Sequence, residues 1–217
     1  MARIVVTEVT GTRGGRVAAA GWSLDGSGMV RPLPPDGPDW APADAGAHLF
    51  QPGNVLALVP SGRPSGRDLP FRREDLVVAE TPRRVGEMAK DELAAALTPG
   101  LAPSLAQGFE GWLELGRFVR AGTDCPSLAG VCVAARRLGF EERGAAGQLR
   151  LWFHDPQGTR FNLPVTARWL KQIQRASGLA SLTSLAAAAK NMVVRVGLAD
   201  PLPDTRAYAL VSNVIFF

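Results

Sequence analysis

Residues 149–163 read LRLWFHDPQGTRFNL and bring arginine, tryptophan, histidine and asparagine close together in the chain. Asp155-Pro156-Gln157-Gly158 has the chemistry of a type I turn, with proline at its second position and a left-handed glycine at its fourth, which sets Asp155 opposite Thr159. That register places Leu149, Leu151, Phe153, Phe161 and Leu163 on one face of a hairpin. Arg150, Trp152, His154, Arg160 and Asn162 fall on the other. A one-residue slip would mix the two sets, so their clean separation supports the register. An indole beside arginines, an imidazole and an amide is what stacks bases and neutralises phosphates in single-stranded nucleic-acid binding. The same composition fits an indole covered by a helix at 166–177 or by another part of the chain, with the arginines simply solvated. Arg136, Arg137 and Arg143, around the preceding strand, extend the cationic set if the strands are neighbours. In the first half of the chain Arg31 is the outward cation of the corresponding hairpin, whose Trp22 the same register sends inward with Leu24 and Val30.

The charge distribution agrees with an anionic partner. Residues 1–110 hold 11 Lys/Arg against 13 Asp/Glu, whereas residues 111–217 hold 13 against 7. Only three of the 24 cations are lysines, and arginine is the side chain whose planar fork matches phosphates and base edges. A GC-rich genome explains part of the arginine usage, but not the difference between two halves of one gene.

Other chemistry finds little support. His48 and His154 are the only histidines, and neither HExxH nor GxSxG occurs, so a histidine-rich metal site or a nucleophile elbow is excluded. GTRGGR (11–16) is glycine-rich but lacks the Gly-Lys-Ser/Thr ending of a phosphate-binding loop. Cys125 and Cys132 have neither a disulfide-framework nor a CxxC pattern and read as reduced thiols. Glu74-Asp75 and Glu141-Glu142 are adjacent pairs that point to opposite sides of a strand. A metal-dependent hydrolase would have to be assembled from Asp25, Glu80 and Asp155, which no spacing favours. The expectation is a non-enzymatic protein without cofactor or metal.

The elements that must position the hairpin are mostly strands. ARIVVTEVT, RVAAAGWSL, MVRPLP, NVLALVP and DLVVAE are β-rich, and Asp25-Gly26-Ser27-Gly28 has turn chemistry. Residues 32–52 contain six prolines among acidic residues (Asp36, Asp39, Asp44) and read as a long surface loop, a candidate contact for a protein partner together with the barrel faces. KDELAAAL (90–97) and SLAQGFEGWLELGRFV (104–119) predict helices. GVCVAARRLGF, QLRLWFH and TRFNLPV return to strands. TARWLKQIQRAS (166–177) predicts an amphipathic helix with Thr166 as N-cap, SLTSLAAAAK (181–190) a second, and two β-rich arms close the chain. There is no regular βαβ alternation, which disfavours a doubly wound sheet. No window approaches eighteen apolar residues, and the start lacks a signal-peptide pattern, so the expectation is a soluble, cytoplasmic protein with no membrane partner.

Residues 22–34 and 152–164 share the spacing W-x2-D-x2-G-x4-L-P. The turn explains the Asp and Gly but not the matching Trp and Leu-Pro, which favours duplication of one β-rich unit. Two such units predict a mainly β fold with a few helices: two small barrels, 1–89 and 124–217, joined by a partly helical connector, 90–123. RIVVTEVT with GRVAAAGW and VRPLP (3–34), PGNVLAL (52–58), and VRVGLADPLP with VSNVIF (194–216) resemble the bacterial dual OB-fold domain family. That resemblance spans nearly the whole chain and implies two OB-fold-like barrels and a role in nucleic-acid binding, with no catalytic residues to carry over. The reading is therefore single-stranded DNA or RNA bound by the second unit. The alternatives are a protein adaptor and, behind it, the hydrolase.

Overall fold

The computed structural model describes residues 1–26, 28–41, 49–64 and 73–217. Ser27, Asp44, His48 and most of the arginine-rich stretch after Pro64 lie outside the described residues, so the expectations placed on them stop at the sequence. Among the described residues the fold is mainly β with three α-helices, the class that the sequence predicts. The chain divides into two units, Met1–Asp68 with Glu74–Pro99, and Leu69–Arg73 with Gly100–Phe217. Residues 90–99 of the expected connector thus go with the first unit and residues 100–123 with the second.

In the first unit, β1 (Ala2–Gly11), β2 (Val17–Ser23) and β3 (Met29–Leu33) form an antiparallel meander. β4 (Asn54–Leu58) pairs antiparallel with β1, while β5 (Pro60–Gly62), one residue further along the same bent strand, pairs with β6 (Asp75–Val78). β6 runs parallel to β3, which closes the ring β1-β2-β3-β6-β5/β4. This is the Greek-key connection of an OB-like barrel. β7 (Arg83–Glu87) adds to the free edge of β4, and α1 (Lys90–Leu97) follows.

The alternation in β1 is broken by a bulge between Val6 and Glu8. The extra residue shifts the phase, so Val9 joins Ile4 and Val6 in the core. The core is completed from an unexpected place: Trp40, from the proline-rich loop, is 2% exposed, donates its indole N–H to the Pro32 carbonyl (2.9 Å) and packs on Phe50 with ring centroids 5.2 Å apart. Trp22 is not the core tryptophan. Gly21 pairs with Val30 and Trp22 with Met29, so Val30 faces the core and Trp22 the opposite side of β2. The register carried over from the 149–163 hairpin sets Trp22 opposite Pro32, three residues from its observed partner Met29, because the Gly-rich turn carries no proline to fix its type.

The second unit is built on the same plan. β8 (Phe118–Arg120) lies at the edge of β14; β9 (Leu128–Ala134) bends through a 3-10 turn at Ala135–Arg137 into β10 (Leu138–Arg143). β10, β11 (Gln148–His154) and β12 (Arg160–Pro164) form an antiparallel meander. β13 (Asn191–Leu198) and β14 (Arg206–Phe216) return antiparallel, β13 pairs with β9, and a parallel bridge from Val165 to Val211 joins β12 to β14. The ring is again closed, and the two segments that share the Trp-Asp-Gly-Leu-Pro spacing are the second-to-third-strand hairpins of their respective barrels. The expected single strand 130–140 is in fact two, because that strand must pass from one side of the barrel to the other.

Between these lie two helical stretches. The expected helix 104–119 shrinks to α2 (Leu105–Gly108), since Glu110, Gly111, Leu115 and Gly116 all adopt left-handed backbone angles. α3 (Arg168–Ala188) covers both helices expected at 166–190, interrupted at Gly178 (φ 74°, ψ 177°). Its Leu170 and Leu182 are buried in the barrel core. Thr166 is not the cap: its hydroxyl donates to the Val211 carbonyl (3.1 Å) and Ala167 occupies the N-cap position. Among the described residues no helix is long and apolar enough to cross a membrane.

Candidate functional site

The hairpin at 149–163 folds in the register that the sequence predicts. Asp155 N–H donates to the Thr159 carbonyl (3.0 Å), Gly158 N–H to the Asp155 carbonyl (2.9 Å), and Gly158 is left-handed at φ 86°. Leu151 pairs with Leu163 and Phe153 with Phe161, and all four are buried in the barrel core with Leu149. The turn is fixed by the Asp155 carboxylate: Oδ1 accepts from Thr159 N–H (3.0 Å) and Oδ2 from Leu105 N–H (3.1 Å) at the start of α2. Asp155 is 1% exposed, so this carboxylate is committed to backbone. Among the described residues no group of three or more His, Cys, Asp or Glu is placed to hold a metal ion.

Pairing of β10 with β11 completes a polar outer face. Leu138 and Phe140 point into the core, so Gly139, Glu141 and Arg143 share the outer side with the hairpin's polar residues. One row across the three strands reads Gly139, Trp152, Asn162; the next, toward one end, reads Glu141, Arg150, Pro164; toward the other end stand His154 and Arg160, with Arg137 immediately before Leu138, the residue opposite Phe153.

Gly139 explains how the indole lies. A Cβ at this position would stand 2.6 Å from Cε2 and Cζ2 of Trp152 and 2.7 Å from its Nε1, so the indole occupies the space over the Gly139 backbone. The Arg160 guanidinium carbon is 5.8 Å from the ring centroid, within cation–π range. His154 meets the ring edge-on at 6.2 Å. Trp152 is half-buried.

The other end of the face is an ordered network. Arg150 Nε donates to Asn162 Oδ1 (2.8 Å) and its Nη2 to the Asn162 carbonyl. Asn162 Nδ2 donates to Glu141 Oε1 (2.7 Å), which also accepts from Arg143 Nε (2.8 Å). The Asn162 amide, together with the charges of Arg143 and Arg150, holds the Glu141 carboxyl below its ordinary pKa. Partial burial, with the positive charges of Arg143 and Arg117, lowers the Arg150 pKa, and Glu141 opposes that shift. Arg117, from the turn ahead of β8, thereby belongs to the same electropositive environment. Sequence reasoning missed it inside a segment read as helix. It also missed Gly139 and Glu141, although alternation outward from Phe140 was available as a signal.

The remaining cations are distributed differently. Arg136 and Arg137 are exposed in the 3-10 turn before β10. Arg31 lies in the first unit, where its Nε forms an ion pair with Asp75, a residue 3% exposed on the adjacent strand. The structure therefore gives Arg31 a structural partner. Arg195 is 1% exposed in β13, with its guanidinium over Gly130, and belongs to the other sheet of the second unit. Cys125 is buried and Cys132 half-buried, neither in a disulfide, and burial raises the Cys132 thiol pKa.

No protein-family model matches this chain, and no curated protein matches it in sequence. A solved structure of a murine DNA-binding protein bound to double-stranded DNA aligns over 99% of this chain and 95% of its own, at 7% identity and a TM-score of 0.36. A likeness that slight carries no argument about this protein.

Proposed function

We propose that the second unit binds single-stranded nucleic acid, DNA or RNA, on the outer face of β10–β12, and that it does so without catalysis. The observation that carries this reading is the half-buried indole of Trp152 over Gly139, with the Arg160 guanidinium over the ring and His154 meeting it edge-on. A base would stack on the indole in exchange for the Arg160 guanidinium, which is then free to meet a phosphate, and every base has a face to stack, which suits single strands of varied sequence. β11 and β12 are the second and third strands of an OB-like barrel, the face that such barrels use for oligonucleotides together with their first-to-second and fourth-to-fifth loops. Here those loops are residues 144–147 and 199–205.

Phosphates would be met by Arg160, Arg137 and Arg136, whose heads are exposed. Arg150 and Asn162, bonded to one another, position the face more than they neutralise charge. The first barrel contributes less, because its Arg31 is committed to Asp75. Two closed barrels in one chain also support membership of the dual OB-fold family, and a cytoplasmic location accords with the reading.

Fluorescence anisotropy of labelled single-stranded DNA and RNA across a salt series tests the proposal. Two to five neutralised phosphates give a log–log affinity slope of about 0.7 per phosphate. No binding at low salt overturns the proposal and moves attention to a protein partner.

A further inference from the structure

We infer that the loop 110–117 is a second contact for the same single strand, with Trp112 stacking another base and Arg117 meeting a phosphate. The inference rests on the binding reading above and extends its footprint beyond β10–β12.

Trp112 is 55% exposed, whereas the other four tryptophans are buried or half-buried. Leu115, three residues on, is 85% exposed. The loop that carries them is held in place. Glu110 and Leu115 adopt left-handed backbone angles (φ 54° and 50°), as do Gly111 and Gly116. For a residue with a side chain that conformation is costly and persists only where the surroundings impose it. Here Phe109 and Phe118 anchor the two ends in buried positions. Between them Gly111 N–H donates to the Ala106 carbonyl (2.9 Å), Trp112 N–H to that of Phe109 (3.0 Å) and Glu114 N–H to that of Phe118 (2.8 Å). An indole on a fixed backbone has few torsions left to order, so a base that stacks on it loses little entropy.

The loop stands beside the platform. β8 pairs with β14 at residues 206–208, and β12 joins the same edge of that strand further along, at Val211, so the residues just ahead of β8 come up against β12. Gly116 touches it: a Cβ there would stand 3.1 Å from Cε1 of Phe161, whose chain neighbours Arg160 and Asn162 lie on the outer face. The charge of the next residue, Arg117, reaches Arg150 on that face. Four residues of chain from Gly116 back to Trp112 span at most about 14 Å. An OB-fold engages about 4–16 nucleotides, so a strand stacked on Trp152 has the length to arrive at Trp112 as well. Charge favours that occupant. The loop's carboxylates are already paired, Glu110 with Arg73 (2.9 Å), which also holds Asp124 (2.8 Å), and Glu114 with Arg120 (2.7 Å). Arg117 is exposed and has no acidic partner among the described residues. An exposed indole and an unpaired guanidinium on one loop suit a ligand made of flat rings joined by phosphates, whereas a purely apolar partner would cover the Arg117 charge without satisfying it.

The test titrates a labelled deoxythymidine dodecamer with the full-length protein and with Trp112→Ala, Trp112→Phe, Leu115→Ala and Arg117→Gln across a salt series. The three side chains are exposed, so each variant should keep the wild-type thermal unfolding midpoint. Trp112→Ala is expected to weaken binding about fivefold or more, the low end of what one stacked base contributes, with the salt slope unchanged. Trp112→Phe keeps a ring to stack on and should retain most of the affinity. Leu115→Ala removes an exposed apolar side chain that has no ring and should leave the affinity as it is. Arg117→Gln should lower the log–log slope by about 0.7, one phosphate. Wild-type affinity in Trp112→Ala overturns the inference and leaves the binding reading standing. Equal losses in Trp112→Ala and Leu115→Ala also overturn it, because they mark general apolar contact in place of stacking, and so does an unchanged slope in Arg117→Gln. Absence of dodecamer binding by the wild-type protein overturns the binding reading itself.

Discussion

Replacing Asp155 by Ala separates a structural carboxylate from a catalytic one. Asp155 is 1% exposed, and its two oxygens accept backbone N–H groups from Thr159 at 3.0 Å and Leu105 at 3.1 Å. A hydrogen bond to a charged acceptor contributes about 1.5–3 kcal/mol, and an amide left buried without a partner costs more than the mean. Asp155→Ala removes two such bonds at once. Relaxation of the exposed Thr159 end recovers some of the loss, so the expected destabilisation is about 3–5 kcal/mol. Asp155→Asn keeps one acceptor oxygen but turns an N–H toward one of the two amides, so about half of that loss is expected. Urea unfolding, followed together with amide exchange at Leu105 and Thr159, reads both effects, because the hairpin turn and the start of α2 should lose protection before the rest of the barrel. A loss below about 1 kcal/mol in Asp155→Ala would refute the account of the turn. A stable Asp155→Asn that abolished a metal-dependent hydrolysis would show that the carboxylate had been assigned the wrong work.

Three other outcomes follow from the same geometry. Gly139→Ala pushes the indole off the sheet and should weaken single-strand binding several-fold with the salt slope unchanged, as seen by anisotropy; a changed slope would mean that it acts on phosphate contacts instead. Asp75→Asn leaves the largely buried Arg31 without its carboxylate and should lower the stability of the first unit by about 3 kcal/mol, read by thermal unfolding, with binding by the second unit intact. The Glu141 carboxyl should titrate below the ordinary glutamate value of 4.5, and its NMR titration should move back up in Asn162→Ala. With the folded-state pKa depressed, its stabilising contribution is present above the unfolded value and disappears as the pH falls through the folded one.

How much of this was legible in the sequence depended on local stereochemistry. The 149–163 hairpin could be read outright because Pro156 and Gly158 fix a turn type, and the turn fixes which side chains share a face. The 22–34 hairpin has the same Trp, Asp and Leu-Pro but Gly26 where the other has Pro156, so its register was free to differ, and Trp22 emerged on the outer side. Trp40 could not be recognised as core because it sits among prolines, where no periodicity reports burial. The phase change at Val6–Glu8 came from a bulge, which leaves no mark in the residue types. Glu141 and Gly139 were visible as members of a strand, but their partnership with Trp152 and Asn162 depends on β10 lying beside β11, a tertiary fact.

The central claim is that a base stacks on Trp152. The direct measurement is the affinity of labelled single-stranded DNA and RNA for the wild-type protein and for Trp152→Ala at matched salt, with the fold checked by circular dichroism. The account predicts a loss of about 1–3 kcal/mol in the variant, five- to more than a hundredfold, with an unchanged salt slope. Unchanged affinity in a folded Trp152→Ala would contradict it.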